Sequence, residues 1–492
     1  MKNLNQPKIE LAESLPEPSK DEAVAVCVFR DESVEAPDES VKRACERLMR
    51  DGEFKGEEGT SLLFHSSDES GARRILLLGA GDRAGFDSQT LRRGAGMAVR
   101  QARASRIRRL SLLLPDSGET QAMTRAATEG AVLGLYENAF YQRREEESAP
   151  LEALTIIVRE ASDELRAGVE RGRIVAESVN WTRTLSDEPG ATLPPREFAR
   201  RAAEMAAEFG LTVESLDAGE IQSRGLGALW GVGKGSDNEP ALIVIRYEPE
   251  EAAEPDELWA FVGKGITFDT GGISIKHGLD MYEMKADMAG GAAVLGAMRA
   301  IAQLKPRRRV AAIVPAAENM PSGRSIKPGD VVRTLAGYNV EVVDTDAEGR
   351  LVLIDGIAYA RRLGATRIVD LATLTGSVII ALGNHRAGLF SNDDEWAGLV
   401  TEAAERAGEP VWRMPVSDDY KKRIESDVAD FKNYGGRPDA TAAALLLSKF
   451  AETTPWVHLD IAGTSWNDDP QPHAPKGSTG TGVRTLVELV CG

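Results

Sequence analysis

The chain has 492 residues, of which 42% are hydrophobic and 28% are charged, and its formal net charge is −18. This length predicts more than one domain and a large buried core, and the negative charge disfavours binding to nucleic acid or to an anionic membrane as the main function. No apolar run is long enough to span a membrane, and the three scattered cysteines suit a reducing cytoplasm.

Residues 1–162 predict a small N-terminal α/β domain. Residues 1–22 are polar, acidic and rich in proline, so we expect them to be poorly ordered. Four apolar runs then alternate with helical patterns, which is typical of an α/β fold. The predicted strands are Ala23–Phe29, Ile75–Leu78, Leu110–Leu114 and Leu154–Val158.

A long helical pattern over residues 163–189 ends among prolines and predicts a helix that connects two domains. Strands and helices alternate again over residues 190–492, so we expect this part to form a larger C-terminal α/β domain. Two clusters of charged residues occur within it.

The first cluster follows an apolar run at Leu258–Val262, which predicts a buried strand. Lys264 and Asp269 come next, in what is predicted to be a glycine-rich loop. Asp287 precedes a stretch of small residues that predicts a closely packed helix. A lysine in such a loop is most often a solvated surface charge, and that interpretation stays open for Lys264.

The second cluster is the segment Asp344–Arg350, which contains three carboxylates and one arginine. An apolar strand pattern precedes it and an apolar helix pattern follows it. The end of a strand that leads into a helix is a rigid place to hold functional side chains. The alternative is an acidic cap on the next helix, because carboxylates favour helix N-termini.

The carboxylates Asp269, Asp287, Asp346 and Glu348 could not share a small site as bare anions, since like charges at close range force protonation. Divalent cations solve this problem, and oxygen-rich sites suit hard or borderline metals. Lys264 can bind a metal only as the neutral amine. Two metals bridged by carboxylates and a water of lowered pKa indicate metal-assisted hydrolysis.

These motifs resemble those of the leucyl aminopeptidase (cytosol aminopeptidase) family of di-metal exopeptidases. The similarity covers roughly residues 175–492, and it is only loose over the first 160 residues. The segment Asp344–Leu351 matches the family's Asn-Thr-Asp-Ala-Glu-Gly-Arg-Leu signature, with Asp in place of the first Asn. Further family-like blocks are Val262–Asp269, Glu318–Gly323, Lys327–Asp330, Asp370–Gly376, Ser426–Asp430 and His458–Gly463.

The resemblance implies a mixed sheet between helices, a homohexamer, and two divalent metal ions per subunit. Mn or Zn is expected, with Mg or Co as alternatives. Lys264, Asp269, Asp287 and Glu348 would hold a tightly bound ion. Asp269, Asp346 and Glu348 would hold a second, more exchangeable ion.

The resemblance also implies the catalytic residues. Lys276 would polarise the scissile carbonyl. Arg350 would hold a bicarbonate ion that acts as general base, with backbone at Gly349 and Leu374 completing its cradle. Asp287 would bind the free amino group of a peptide substrate. The remaining substrate-binding residues would be Met284, Thr373, Leu374 and Gly376.

The predicted function is therefore release of N-terminal residues, Leu and other bulky apolar ones, from peptides. Two alternatives stay open: a narrow dipeptidase, such as a Cys-Gly hydrolase, and an additional architectural role in DNA binding, which the net charge disfavours. Asp344 has two interpretations as well. Its carboxylate either tightens metal binding or faces away and caps a turn.

Overall fold

The computed structural model describes residues 7–17, 19, 21–30, 32–36, 39–68, 71–115, 120–143 and 150–492. The chain forms two compact units. The first comprises Met1–Asn180 and Asp468–Gly477, and the second comprises Trp181–Asn467 and Ser478–Gly492.

The described part of the first unit contains one sheet. Its strands are β1 Lys8–Ala12, β2 Glu22–Phe29, β3 Ser61–Asp68, β4 Gly71–Gly81, β5 Arg109–Leu113 and β6 Ala153–Ile157. Their order is β1-β6-β5-β2-β4-β3, and every neighbouring pair is parallel except β3 with β4. The helices are α1 Glu39–Arg50, α2 Ser88–Ala104 and α3 Gln121–Gly134, with α4 at Asp163–Asp187.

Strand β2 shows why the strands of this unit are runs of mostly apolar residues. Ala23 and Ala25 point into a core shared with α2 and α3, whereas Val24 and Val26 point into a core shared with α1. A parallel strand covered by helices on both faces is apolar at nearly every position. The strand is therefore buried along its whole length.

Two expectations for the first unit differ from the structure. We expect poor order over residues 1–22, but residues 8–12 form β1, which pairs with β6; residues 1–6, 18 and 20 lie outside the described residues. The segment Asp468–Gly477 groups with this unit and not with the C-terminal domain. Asn138 Nδ2 donates a hydrogen bond of 2.5 Å to Lys476 O within the unit. The periodicity of the sequence does not indicate that a segment so near the end of the chain belongs to the N-terminal unit.

The second unit contains a mixed sheet of nine strands. They are β7 Thr212–Leu216, β8 Ala241–Tyr247, β9 Leu258–Gly263, β10 Gly265–Asp269, β11 Arg309–Asn319, β14 Arg367–Ala372, β15 Ala387–Ser391, β16 Val411–Arg413 and β18 Trp456–Asp460. The order is β16-β15-β18-β14-β9-β11-β8-β7, and β10 also pairs with β11. The predicted glycine-rich loop after β9 is thus largely a strand, which continues the sheet as far as Asp269.

Helices cover this sheet, and short strands lie beside it. The helices are α5 Pro195–Glu208, α6 Ala218–Ser223, α7 Gly227–Gly233, α8 Ala289–Leu304, α9 Gly349–Arg362, α10 Gly376–Leu382, α11 Asp394–Ala407, α12 Asp439–Ala451 and α13 Val483–Cys491. The short strands are β12 Val331–Arg333, β13 Asn339–Glu341, β17 Phe431–Lys432, β19 Trp466–Asn467 and β20 Gly477–Ser478. In the described ranges, no helix combines the length and apolar character that a membrane span requires.

Glycines bring the start of α8 into direct contact with the sheet. A Cβ on Gly290 would lie 2.1 Å from the carbonyl oxygen of Leu371, and one on Gly263 would lie 2.5 Å from the carbonyl oxygen of Gly290. Only a residue without a side chain fits at these distances. This close approach fixes the position of Asp287, which lies just before the helix.

Candidate active site

Five mutually parallel strands of the larger sheet end at the same edge, and polar residues lie at each end. Lys264 follows β9, Asp269 ends β10, Asn319 ends β11, Thr373 follows β14 and Asp460 ends β18. The carboxyl edge of such a sheet is where α/β proteins hold their ligands. The two charged clusters of the sequence meet here.

Lys264 is buried between two carboxylates. Its Nζ lies 2.8 Å from Asp287 Oδ2 and 2.9 Å from Glu348 Oε1, and it donates a hydrogen bond of 3.0 Å to Thr373 O. A Cβ on Gly349 would lie 2.7 Å from Lys264 Nζ. Glycine at this position therefore leaves room for the lysine to reach the carboxylates.

Lys276 lies between the other two carboxylates. Its Nζ is 2.9 Å from Asp269 Oδ2 and 2.5 Å from Asp346 Oδ1. Its side chain is 25% exposed, compared with 4% for Lys264. Lys276 therefore reaches solvent, whereas Lys264 does not.

The pKa values show that this site is short of positive charge. Burial raises the pKa of Glu348 to about 8, and the nearby charge of Asp269 adds to this effect. Burial likewise raises the pKa of Asp287 to about 6, against the opposing effect of Lys264. Burial lowers the pKa of both lysines, but the surrounding carboxylates outweigh it and raise each pKa above its ordinary value.

The donor atoms fit divalent metal ions. Carboxylate oxygens of Asp269, Asp346 and Glu348 lie within 4.8 Å of one another. Glu348 Oε2 is buried and has no hydrogen-bond partner among the residues that the structure describes. A buried carboxylate oxygen is costly unless a cation or a donor compensates it. Oxygen ligands with one amine suit hard or borderline cations.

Uncharged side chains link the two clusters, and the sequence motifs had not assigned them roles. Asn319 Nδ2 donates to Asp269 Oδ1 at 2.8 Å and to Thr345 O at 3.0 Å. Thr345 Oγ1 donates to Gly271 O at 2.6 Å and accepts from Ser274 N at 2.8 Å. Asn319 lies in the family-like block Glu318–Gly323, which was the available signal for its importance.

Asp344 caps a turn. Its Oδ1 accepts a hydrogen bond of 2.9 Å from the backbone N–H of Asp346. This arrangement matches the second of the two interpretations of Asp344, because the carboxylate stabilises the loop that presents Asp346 and Glu348. Its charge still acts on the site, since it contributes to the raised pKa of Asp346 after burial and the charge of Asp269.

Arg350 is buried, two residues after Glu348, and not all of its guanidinium donors bind the described residues of the protein. Its Nη1 donates to Asn433 O at 3.0 Å, and its Nη2 donates to Asp439 Oδ1 at 2.9 Å. Its Nε is buried and has no hydrogen-bond partner in the described ranges of the chain. Gly349 is the first residue of α9, so its N–H is not used by the helix.

Leu374, the other residue of the predicted bicarbonate cradle, is engaged differently. Its backbone N–H donates to Asp460 Oδ1 at 3.1 Å, while Thr375 Oγ1 donates to Asp460 Oδ2 at 2.6 Å. The Leu374 N–H is therefore not free to hold an anion in this arrangement. Asp460 belongs to the family-like block His458–Gly463, but its role as the anchor of this loop was not predicted.

The predicted substrate-binding residues are brought together to different degrees. Thr373 Oγ1 donates to Asp287 Oδ1 at 2.7 Å. Met284 O accepts a hydrogen bond of 3.3 Å from Asp287 N, at the end of the 3-10 turn Met281–Ala286. Gly376 begins α10, and a Cβ there would meet no atom within 4 Å. Thr373 therefore lies beside the carboxylate of Asp287, and Met284 lies beside its backbone.

The fold and this site define an α/β protein that presents a buried cluster of carboxylates and lysines, suited to divalent cations, at the carboxyl edge of a mixed sheet. Residues 180–487 match the catalytic domain of the cytosol aminopeptidase family, and residues 25–145 match the N-terminal domain of that family. The chain therefore belongs to the cytosol aminopeptidase family. The predicted two-domain α/β fold and the predicted family are both confirmed.

Individual relatives cover nearly the whole chain. A probable cytosol aminopeptidase of Solibacter usitatus is 48% identical, over 90% of this chain and 92% of its own. A probable cytosol aminopeptidase of Acidobacterium capsulatum is 45% identical, over 92% of this chain and 90% of its own.

Two solved structures are similar along their whole length. A mutant of tomato leucine aminopeptidase superposes with a TM-score of 0.89 at 31% identity, covering 100% of this chain and 97% of its own. The bottromycin maturation enzyme BotP in complex with Mn superposes with a TM-score of 0.84 at 36% identity, covering 96% of this chain and 99% of its own. The protein is thus an aminopeptidase of the leucyl aminopeptidase type and depends on metal.

Proposed function

We propose that this aminopeptidase uses two divalent metal ions, Mn or Zn with Mg or Co as alternatives, to release N-terminal Leu and other bulky apolar residues from peptides. The observation that carries the proposal is the meeting of four carboxylates with only two lysines at one sheet edge. Among the residues that the structure describes, the buried Oε2 of Glu348 has no hydrogen-bond partner, which supports the presence of further positive charge.

The ligands would divide between the two ions as the family resemblance implies. Lys264, Asp269, Asp287 and Glu348 would hold one ion, and Asp269, Asp346 and Glu348 the other. The separation of at most 4.8 Å between carboxylate oxygens of Asp269, Asp346 and Glu348 supports a shared site. When bound, the ions would supply a water of lowered pKa as the nucleophile.

Asp287 would accept the free amino group of the substrate. Its Oδ1 already accepts a hydrogen bond from Thr373, which orients the carboxylate. An acylated amino group carries no positive charge, so an acylated peptide would lose this interaction with Asp287. The protein would therefore act as an exopeptidase.

Lys276 would polarise the scissile carbonyl and stabilise the developing negative charge. Its partial exposure supports this role, because a substrate can reach it. A cation bound between Asp269 and Asp346 would compete with the ammonium group for these oxygens. Lys276 would then be released towards the substrate, whereas the buried Lys264 would have to lose its proton and remain.

Arg350 would hold bicarbonate, which would serve as the general base when bound. In the described part of the chain, Arg350 Nε has no hydrogen-bond partner and the helix does not use the N–H of Gly349, which supports an anion at this position. The hydrogen bond between Leu374 N and Asp460 does not support a contribution from the Leu374 N–H. The cradle that we propose consequently rests on Arg350 and Gly349.

The apolar preference and the homohexamer are parts of the same proposal. The exposed apolar side chains of Ile273 and Ile275 flank Lys276 in the sequence and would contact an apolar substrate residue.

Other large apolar side chains of the second unit are strongly exposed, with Ile380 at 84% and Val428 at 70%, which supports self-association. A cytoplasmic location is supported by the names of the relatives.

The decisive experiment compares hydrolysis of Leu-p-nitroanilide with that of its N-acetylated form, using metal-free and Mn(II)-loaded protein. We expect cleavage of the free-amine substrate alone, and only with metal. Cleavage of the acetylated substrate would contradict the role of Asp287. If the metal-loaded protein cleaves neither substrate but hydrolyses Cys-Gly, the narrow dipeptidase alternative replaces broad Leu release.

A further inference from the structure

We infer that Asn433 is a positioning residue, which holds the segment Val343–Ala347 so that Asp346 and Glu348 face the metal ions. The inference rests on the proposed di-metal function. It concerns a residue that lies outside the ligand set, 86 to 90 positions further along the chain than the backbone groups it contacts. Its side chain is 1% exposed.

The amide of Asn433 uses both of its ends on this one segment. Its Oδ1 accepts hydrogen bonds from the N–H groups of Val343 at 2.8 Å and Asp344 at 3.3 Å. Its Nδ2 donates to Asp344 O at 2.5 Å and to Ala347 O at 3.2 Å. Four backbone groups on both sides of Asp346 are therefore satisfied by one side chain.

Asparagine is chemically specific for this position. Two backbone donors face one end of the side chain and two backbone acceptors face the other. Only a carboxamide offers two N–H donors and a carbonyl acceptor in this short planar arrangement. An aspartate would fit sterically, but its second oxygen would meet the carbonyl oxygens of Asp344 and Ala347.

The backbone of Asn433 is itself held rigidly and continues towards the site. Its N–H donates to Glu341 O at 2.9 Å, which extends the pairing of β17 with β13. Its carbonyl oxygen accepts the hydrogen bond of 3.0 Å from Arg350 Nη1. One residue thus ties together a strand, the segment that contains the predicted ligand Asp346 and leads into Glu348, and the predicted anion-binding Arg350.

A buried, unsatisfied backbone group costs free energy, so the segment would rearrange if the amide were lost. Asp346 belongs to this segment, and its backbone N–H donates to the carboxylate of Asp344 in the same turn. Side chains that orient metal ligands from outside the ligand set typically contribute 10- to 100-fold to metal affinity or activity. Loss of Asn433 should therefore be felt at the metal site and not only in stability.

The test measures Mn(II) affinity and stoichiometry by titration calorimetry, together with kcat and KM for Leu-p-nitroanilide at saturating Mn(II). The variants are Asn433→Ala and Asn433→Asp. The control is Asn392→Ala, which removes three side-chain hydrogen bonds to backbone at the opposite edge of the sheet. Circular dichroism and Tm establish that each variant is folded.

We expect Asn433→Ala to weaken Mn(II) binding by about tenfold or more and to lower kcat more than it changes KM. Asn433→Asp should show a similar or larger loss of affinity, and it decides the question if the alanine variant does not fold. Asn392→Ala should lower Tm without changing either measurement. A lower Tm with unchanged Mn(II) affinity and kcat in the Asn433 variants would overturn the inference.

The same experiment separates this inference from the proposed function. If the unaltered protein binds Mn(II) but hydrolyses nothing, the proposed reaction fails, and the comparison of affinities still decides the role of Asn433. If the unaltered protein binds no Mn(II), the di-metal proposal fails and the inference fails with it.

Discussion

Lys264 and Lys276 carry the same charge but differ in how far water reaches them. Both bridge a pair of carboxylates, and neighbouring negative charge keeps both protonated. The buried Lys264 has no other place for its amine, whereas Lys276 can turn towards solvent and a substrate. Their different exposure is consistent with the ligand role and the electrophilic role that the family resemblance implies for Lys264 and Lys276.

Replacing Lys276 by alanine should lower kcat by about 10²- to 10³-fold, because it removes a group that stabilises developing charge in the transition state. Mn(II) affinity should stay equal or rise, since an ammonium group no longer competes for Asp269 and Asp346. Steady-state kinetics and metal titration check both results. Lys264→Ala serves as the contrast and should weaken Mn(II) binding; an unchanged kcat in Lys276→Ala would exclude its assigned role.

Metal affinity should increase with pH between about 6 and 8. Without metal, burial raises the pKa of Glu348 to about 8, so this group is protonated at neutral pH and must release its proton to bind a cation. Lys264, whose pKa is also raised, must release a proton to act as a ligand. Titration calorimetry in buffers of different ionisation enthalpy counts these protons. Binding without proton release would contradict the ligand set.

At the scale of elements, the site depends on how closely α8 approaches β9 and β14. Gly263 and Gly290 remove the side chains that would separate them, and Asp287 is placed by this contact. The charged residues of the site lie at the ends of these elements, where the regular hydrogen bonding of strands and helices stops. Packing in the interior therefore sets geometry at the edge.

Gly290→Ala should destabilise the protein by about 1–3 kcal/mol, because its Cβ would lie 2.1 Å from the carbonyl oxygen of Leu371. It should also weaken Mn(II) binding by shifting Asp287. Gly398→Ala is the matched control, since a Cβ there meets nothing within 4 Å in α11. That change should stabilise the protein by about 0.5–1 kcal/mol. Denaturant unfolding measures both changes. A shift of the free energy of unfolding in the same direction in the two variants would contradict this prediction.

At the scale of the whole molecule, every predicted site residue belongs to the second compact unit. The first unit has its own sheet with buried faces and supplies none of the predicted ligands. Repulsion among the four carboxylates should make the second unit the part whose stability depends on bound cations.

Mn(II) should therefore raise the Tm of the protein. An ion that binds only the folded state stabilises it by about 2.7 kcal/mol at a concentration 100 times its Kd, which corresponds to a shift of several degrees. Scanning calorimetry with EDTA and with Mn(II) measures this shift. Glu348→Ala removes a shared ligand and should abolish it. An equal shift in that variant would place the bound metal elsewhere.

The sequence by itself determined the family, the α/β class and the residues of both charged clusters. These follow from local signals: buried parallel strands are apolar at nearly every position, as in β2 and β9, and the segment Asp344–Leu351 is a contiguous motif. The strand over Gly265–Asp269 was missed because glycines in and around it, Gly263, Gly265, Gly271 and Gly272, favour a loop on local propensity, and pairing with β11 overrides this preference.

Only the tertiary structure decided which residues outside the predicted ligand set hold the loops of the site in place. Asn319, Asn433 and Asp460 act through hydrogen bonds to residues that are distant along the chain. The partners of such bonds depend on strand order and register, as in the pairing of β17 with β13, and neither leaves a periodic pattern in the sequence. The same physical reason explains why the return of Asp468–Gly477 to the first unit was not predicted.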